Sequence, residues 1–325
     1  MKKKNAIHVW IRRGIGLFFL LLLPDLYTSA FNGVKYIAAQ AGSAGVIELT
    51  PFISILIILL AFTFLFGRFF CGYACAFGFL GDLLYSLSAF LQKKIHKRVW
   101  QIPDKPRRIL RYMKYLILAV ILLLTFLQAY DRVSRFDPWQ IFAGFLAGDF
   151  ALKGKTAGFA VLVLIAVGMC FVERFFCLFL CPMGAVFSMI PVLPASGLRR
   201  DPSHCAGKCH QCEKNCPAGY FRSFPREQIP DGYPGLDKGE SVNAEPDGKV
   251  RDQGYGECIA CMKCANGCPV GNAGCGGFRS DSGTGTRKVH IRGNEWYILL
   301  LKAGILFVIV YLLNTRLGGS LQALQ

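Results

Sequence analysis

Arg68-Phe69-Phe70-Cys71-Gly72-Tyr73-Ala74-Cys75-Ala76-Phe77-Gly78 returns 106 residues later as Arg174-Phe175-Phe176-Cys177-Leu178-Phe179-Leu180-Cys181-Pro182-Met183-Gly184, in the same register. Each copy of this R-F-F-C-x3-C-x2-G run closes a strongly apolar stretch. Self-similarity at that distance reads as a duplicated unit, two apolar spans ending in one motif. Spacing i, i+4 on a helix puts both sulfurs of a pair on one face. Two such pairs related by pseudo-symmetry would bring Cys71, Cys75, Cys177 and Cys181 to a single redox or metal site. For Arg68 and Arg174 a membrane boundary offers a plainer role, snorkelling, and for the phenylalanines interfacial anchoring.

Working outward, apolar residues make up 53% of the 325 and the mean hydropathy is positive, as in a polytopic membrane protein. Five stretches have span-like character, near 15–30, 52–70, 113–129, 157–176 and 296–313. A crossing helix needs about 20 residues, so the shorter ones must borrow flanking residues. Lys2, Lys3, Lys4, Arg12 and Arg13 precede the first stretch, whereas residues 31–51 hold only Lys35, which puts the amino terminus in the cytoplasm. After the second stretch come Lys93, Lys94, Lys97, Arg98, Lys105, Arg107, Arg108 and Arg111, a second cytoplasmic signature. Alternation then leaves the carboxyl terminus outside, in a multi-pass protein of the bacterial inner membrane. Residues 1–30 are read as an uncleaved first span rather than a signal peptide. The net charge of +17 lies mostly beside spans, where it sets topology and meets anionic lipid; no nucleic acid is implied.

The remaining cysteines are the most specific signal. Cys258-x2-Cys261-x2-Cys264-x3-Cys268-Pro269 has the spacing that bacterial ferredoxins use for a [4Fe–4S] cluster. Cys205-x3-Cys209-x2-Cys212-x3-Cys216-Pro217 is the same run with one extra residue in its first gap. In two-cluster ferredoxins three cysteines of one run and the last of the other bind each cubane. Carried over, cluster one takes Cys205, Cys209, Cys212 and Cys268, and cluster two takes Cys258, Cys261, Cys264 and Cys216. Structural zinc fits two proline-closed four-cysteine runs poorly. Disulfides would need an oxidising compartment, and a haem at Cys205-x3-Cys209-His210 leaves Cys212 and Cys216 unexplained.

The expected fold is therefore a mainly α membrane protein of about five transmembrane helices, with a two-repeat core and a small cytoplasmic α+β ferredoxin domain. Residues 1–198 form the membrane domain and 199–280 the 2[4Fe–4S] domain, with an insertion at 218–257. Residues 281–295 are a linker, and 296–325 are the fifth span and a short tail. No histidine lies inside a span, so a bis-histidine haem in the membrane is not expected. Asp25, beside Pro24, is the lone acid well inside an apolar stretch. The run from Phe136 to Leu146 reads as a short amphipathic helix lying on the membrane. Cys170 and Cys275 are left over as structural residues.

The duplicated C-x3-C motifs at span ends, followed by two ferredoxin runs, resemble the membrane-bound polyferredoxins of the NapH, MauN and NosR-like type. That resemblance covers the chain from the first span to Pro269. It implies electron transfer between the quinone pool or a cytoplasmic donor and a partner redox protein, such as a flavoprotein, reductase or ferredoxin, rather than stand-alone catalysis. It carries two [4Fe–4S] clusters, with a further metal or cluster at the C-x3-C pairs and a bound quinone as open additions. Two departures stand out: Ala76 replaces proline after Cys75, and the fifth span exceeds a four-span plan. An alternative is a CcoG-like copper-handling or assembly factor using the C-x3-C pairs; another is a redox sensor.

Overall fold

The computed structural model describes residues 2–43, 45, 48–96, 104–146, 148, 156–193, 198–200, 211–218, 257–268, 273–275 and 296–317. Helix dominates them. Helix α1 (Lys2–Leu22) and helix α2 (Leu26–Ser43) meet at Pro24, where the axis bends by 66°. Proline lacks the amide hydrogen that a continuing helix would use, and its ring pushes Leu23 out of the helical region. The span expected near 15–30 is thus not one helix; Asp25 sits in the break, and the chain turns away along α2.

Helix α3 (Pro51–Phe66) has a complete set of boundary signals. Thr50 accepts the Ile53 amide at 3.4 Å, Pro51 occupies the first turn, and Gly67 closes the helix at φ +71°. A π-turn, Phe70–Ala74, then leads into helix α4 (Ala76–His96), which sequence patterning did not single out. Helix α5 (Asp104–Leu110), helix α6 (Met113–Phe126), helix α7 (Pro138–Leu146) and helix α8 (Thr156–Phe171) follow. A second π-turn, Phe176–Leu180, precedes helix α9 (Pro182–Ser188). Strands β1 (Leu198–Arg200) and β2 (Ala273–Cys275) pair antiparallel, Leu198 opposite Cys275, and bracket the ferredoxin runs with helix α10 (Gln211–Asn215) and helix α11 (Lys263–Asn266) between them in the chain. Helix α12 (Trp296–Leu317) ends the described chain.

Helices α3, α6 and α8 coincide with three expected spans but are 16, 14 and 16 residues long. Among the described residues, by length and composition, α12 alone is a full candidate span, over Trp296–Thr315, joined by the bent α1–α2 pair if that counts as one. The outward faces of the shorter helices nevertheless carry Ile57, Leu116, Leu123, Leu164 and Val167 in the open, beside Leu301 and Val308 of α12. A water-facing monomer rarely shows so broad an apolar exterior.

The core of this helical unit is aromatic and tightly closed. Phe19, Phe31, Leu59, Phe187 and Leu306 are wholly buried. Helix α7 buries one face, Trp139 and Ile141, with Gln140 exposed, and Trp139 packs edge-on against Phe31 at 5.3 Å. Helices α2 and α3 cross where Gly33 meets backbone; a β-carbon there would stand 2.7 Å from the Phe52 carbonyl oxygen. Since that neighbour is backbone, it cannot rotate away. Gly33→Val is expected to lower stability by about 1–3 kcal/mol through overpacking. Thermal unfolding in detergent, followed by size exclusion, reads the loss.

Candidate functional site

Both C-x3-C runs adopt one local structure, and it is not the α-helical turn that i, i+4 spacing predicts. Each forms a π-turn, closed by the Cys75 amide on the Phe70 carbonyl at 2.9 Å and the Cys181 amide on the Phe176 carbonyl at 2.8 Å. Single π-turns are uncommon and gather at functional sites. The second cysteine of each pair leaves the turn in extended conformation, Cys75 at φ −72°, ψ 123° and Cys181 at φ −73°, ψ 110°. Cys181 then caps α9, its sulfur accepting the Gly184 amide at 3.1 Å. Ala76 stands where the second copy has Pro182, yet the turn keeps its shape.

The arginines do not snorkel. Arg68 and Arg174 are each 2% exposed, and each reaches into the opposite copy. Arg68 Nη2 donates to the Gly184 carbonyl at 2.9 Å. Arg174 Nη1 and Nη2 donate to the Cys71 and Gly72 carbonyls at 2.5 and 3.0 Å. The closing glycine of each motif makes this possible: a β-carbon on Gly78 would stand 2.2 Å from Arg174 Nη1, and one on Gly184 3.2 Å from Arg68 Nη2. The x2-G of the motif is space for the other copy's guanidinium.

Asp82 of α4 anchors the second arginine. Arg174 grips it with two bonds, Nε to Oδ1 at 2.8 Å and Nη2 to Oδ2 at 2.6 Å, while Arg12 from α1 pairs with the same carboxylate and also donates to the Gly72 carbonyl at 3.2 Å. Such fork-to-carboxylate contacts are the stronger kind of charge-assisted bond. Burial alone would raise the Asp82 pKa, but Arg174 and then Arg12 outweigh it and hold the carboxyl below its usual range. From α1, His8 adds a bond to the Tyr73 hydroxyl at 3.0 Å, inside the first C-x3-C loop. Only its position outside the spans was read from sequence.

Cys71, Cys75, Cys177 and Cys181 are all buried, and each pair lies within electrostatic reach of the other. Burial first, and then the neighbouring cysteines, push the Cys75 and Cys181 thiols up; burial also raises Cys177, against the pull of Arg174. Such thiols stay protonated unless a metal centre claims them, which reverses the balance outright. The Tyr27 hydroxyl lies 3.7 Å from the Cys181 sulfur. Among the described residues no group of three or more His, Cys, Asp or Glu side chains stands ready for a single metal ion.

Of the eight ferredoxin cysteines, Cys205 and Cys209 lie outside the described residues. Five of the other six pack together: Cys212 and Cys264 with Met262 and Ala265 at the centre, and Cys216, Cys258 and Cys268 around them; Cys261 is buried nearby. Burial raises the Cys264 thiol well above its ordinary value, with Cys261, Cys258 and Cys216 adding to it in that order. Cys216 of the first run therefore stands beside three cysteines of the second. Ala260 and Met262 hold left-handed backbone at φ 49° and 55°. Non-glycine residues take that region sparingly, and turns that include it form nests of amide hydrogens suited to iron–sulfur groups. In a cubane each thiolate binds its own iron, so the sulfurs need not converge on one point. The donor set and the loop conformation fit such a group.

The ferredoxin loops are docked on the helical unit by ion pairs that sequence reasoning did not identify and by two arginines, Arg107 and Arg111, that it assigned to topology alone. Lys114, 1% exposed, bonds Glu257 at 2.6 Å, and the Tyr115 hydroxyl donates to the same carboxylate at 2.8 Å. Burial alone would raise the Glu257 pKa; Lys114 and then Arg68 hold it below the ordinary range. Lys263 pairs with Glu173, Arg107 donates to the Pro217 carbonyl, and Arg111 donates to the Ala218 carbonyl at 2.6 Å. Farther along α2, Lys35 is buried with its ammonium 4.7 Å from the Tyr130 ring centre, and Tyr130 donates to Asp137. In the sequence Lys35 stood out only as the single basic residue between positions 31 and 51.

Comparison with known proteins finds iron–sulfur domains along this chain. A 4Fe-4S binding domain model matches residues 49–98 and again 155–195, and a 4Fe-4S dicluster domain model matches 204–273. The chain is 29% identical over 204 residues to the uncharacterized protein MJ0750 of Methanocaldococcus jannaschii, covering 62% of this chain and 78% of that one. It is 25% identical over 258 residues to the putative electron transport protein YccM of Escherichia coli, 79% of this chain and 63% of the relative. It is 28% identical over 155 residues to the regulatory protein NosR of Pseudomonas aeruginosa, 47% of this chain and 20% of NosR. No solved structure matches.

Breaking the buried ion pair by Asp82→Asn leaves Arg174 uncompensated and is expected to cost about 3–5 kcal/mol. A carboxylate whose pKa is depressed on folding contributes stability above its unfolded value, near 4, and loses it as pH falls through the lower folded value. The melting temperature of the wild type should therefore hold steady down to mildly acid pH and fall steeply below about 4. The fall should be shallower in Asp82→Asn and in Glu257→Gln, each of which lacks one such carboxylate.

Proposed function

We propose that this chain, a polyferredoxin of the NapH and NosR-like kind, is a membrane-bound iron–sulfur conductor between the quinone pool or a cytoplasmic donor and a partner redox protein. The observation that carries the reading is Cys216 standing with Cys258, Cys261 and Cys264 in a nest of left-handed backbone, docked against the buried C-x3-C pairs. A [4Fe–4S] cluster supplies one-electron redox chemistry without covalent change to a substrate. What the chain contributes is the holding of it: thiolates at two crossed sets, amide donors at the 258–264 loop, and apolar residues that exclude water.

In this reading residues 1–198 form a two-repeat membrane domain, 199–280 a cytoplasmic ferredoxin domain with its insertion at 218–257, 281–295 a linker, and 296–325 a last span with its tail outside. The basic residues beside the spans support that orientation, and the matching π-turns support the repeat. Cluster one belongs to Cys205, Cys209, Cys212 and Cys268, and cluster two to Cys258, Cys261, Cys264 and Cys216. A flavoprotein, reductase or ferredoxin is the partner class such a conductor requires. One second reading is copper handling by the buried C-x3-C pairs, Cys71 with Cys75 and Cys177 with Cys181.

Electron paramagnetic resonance on the purified protein separates the two. Two cubane signals that appear on reduction with quinol or a low-potential donor are the expected result. Signals unresponsive to either, together with stoichiometric copper lost in Cys71→Ser or Cys177→Ser, would sink electron transfer in favour of metal handling.

A further inference from the structure

The C-x3-C pairs and the second ferredoxin cradle meet along one seam, and both motif copies contribute to it. Gly72, directly after Cys71, lies against the loop between Cys258 and Cys261: a β-carbon there would stand 2.6 Å from the Ile259 carbonyl oxygen and 3.4 Å from that of Ala260. The second copy has Leu178 at this position. Leu178 and Phe179 are buried and pack with Ala218, two residues beyond Cys216. Residues inside each C-x3-C run, Gly72 in the first and Leu178 and Phe179 in the second, therefore touch the two chain segments that carry one and the same ligand set, Cys216 on one side and Cys258 and Cys261 on the other. Where the copies depart from each other, glycine against leucine, the departure is what lets two unlike segments of one cradle sit over two like turns.

Arg174 crosses this seam. Its guanidinium holds the Cys71 and Gly72 carbonyls, its charge acts on the Cys261 and Cys177 thiols, and Asp82 compensates it from behind. The other arginine, Arg68, acts on Cys71, Cys181 and Glu257. In a water-excluded setting a fixed cation favours the more negative redox state of a neighbouring group, and a fixed anion disfavours it.

We infer that Gly72 sets how closely the Cys216, Cys258, Cys261 and Cys264 cradle approaches the C-x3-C pairs, and that the Arg174–Asp82 pair tunes the reduction potential of the group held there. Every contact named here falls on the segments that carry Cys216, Cys258 and Cys261, so the signal of that set is the one expected to respond. These are positioning residues, since neither Arg174 nor Asp82 is a ligand. The inference rests on the iron–sulfur reading above.

Reductive titration with dithionite, which gives one electron to each +2 cubane core, tests it when both signals are followed by electron paramagnetic resonance with iron content as a check on loading. Arg174→Gln should move one signal to lower potential, Asp82→Asn should move that same signal to higher potential, and Arg174→Lys should leave it near the wild-type position. Gly72→Ala, which keeps every charge, should perturb that signal and not the other. Neither signal moving, or both moving equally, overturns the inference. If Arg174→Gln does not accumulate, Asp82→Asn decides alone by moving one signal upward or failing to. No cubane signals in the wild type would be a failure of the iron–sulfur reading itself, a distinguishable outcome.

Discussion

A guanidinium buried inside an apolar bundle is costly unless it is fully met by partners. Arg174 is met by one carboxylate and two carbonyls, and everything near the thiols follows from that requirement. Asp82 must sit on α4, so α4 must pack against both α1 and α8. Gly78 must lack a side chain, and the Cys71 carbonyl must face inward, which fixes the π-turn. Arg68 makes the mirrored demand on Gly184. The two motifs are thereby locked to each other rather than to lipid, and the four cysteines are brought into one neighbourhood as a by-product of pairing two arginines.

The same logic governs how the ferredoxin loops attach. Their contacts are ionic or made through carbonyl groups: Glu257 to Lys114, Pro217 and Ala218 to Arg107 and Arg111. Contacts of this kind discriminate register well, because a buried charge displaced from its partner is penalised heavily. Hydrophobic packing of Ala218 on Leu178 and Phe179 adds area without adding direction. The result is a cradle held at a defined orientation over the two π-turns.

Much of this was legible from spacing. Four-cysteine runs and a repeated eleven-residue motif are discrete patterns, and they survive any uncertainty in helix ends. What spacing could not convey was burial of charge. Arg68 and Arg174 beside aromatic residues look the same whether they point to water or to a carbonyl 2.9 Å away, because the partner Gly184 is more than a hundred residues distant. Asp82 and Lys114 belong to no sequence motif, and Arg107 and Arg111 were absorbed into a charge count that has a sound topological meaning of its own. Hydropathy likewise placed α3, α6 and α8 correctly but overran their ends, since Phe69, Phe70, Phe175 and Phe176 are as apolar as a span while their backbone belongs to a π-turn or its approach. The bend at Pro24 was signalled by proline and lost in the average.

Glu257 immediately precedes a cradle cysteine and Pro217 immediately follows one, so the groups that dock the ferredoxin loops belong to the same few residues that shape its nests. Linkage between equilibria sharing residues is reciprocal. Whatever holds residues 257–268 in their left-handed turns strengthens attachment to Lys114, and attachment to Lys114 lowers the cost of forming those turns. Maturation and docking of this protein are therefore one thermodynamic event seen from two sides. A finished helical half acts as a scaffold on which its own ferredoxin loops are easier to complete.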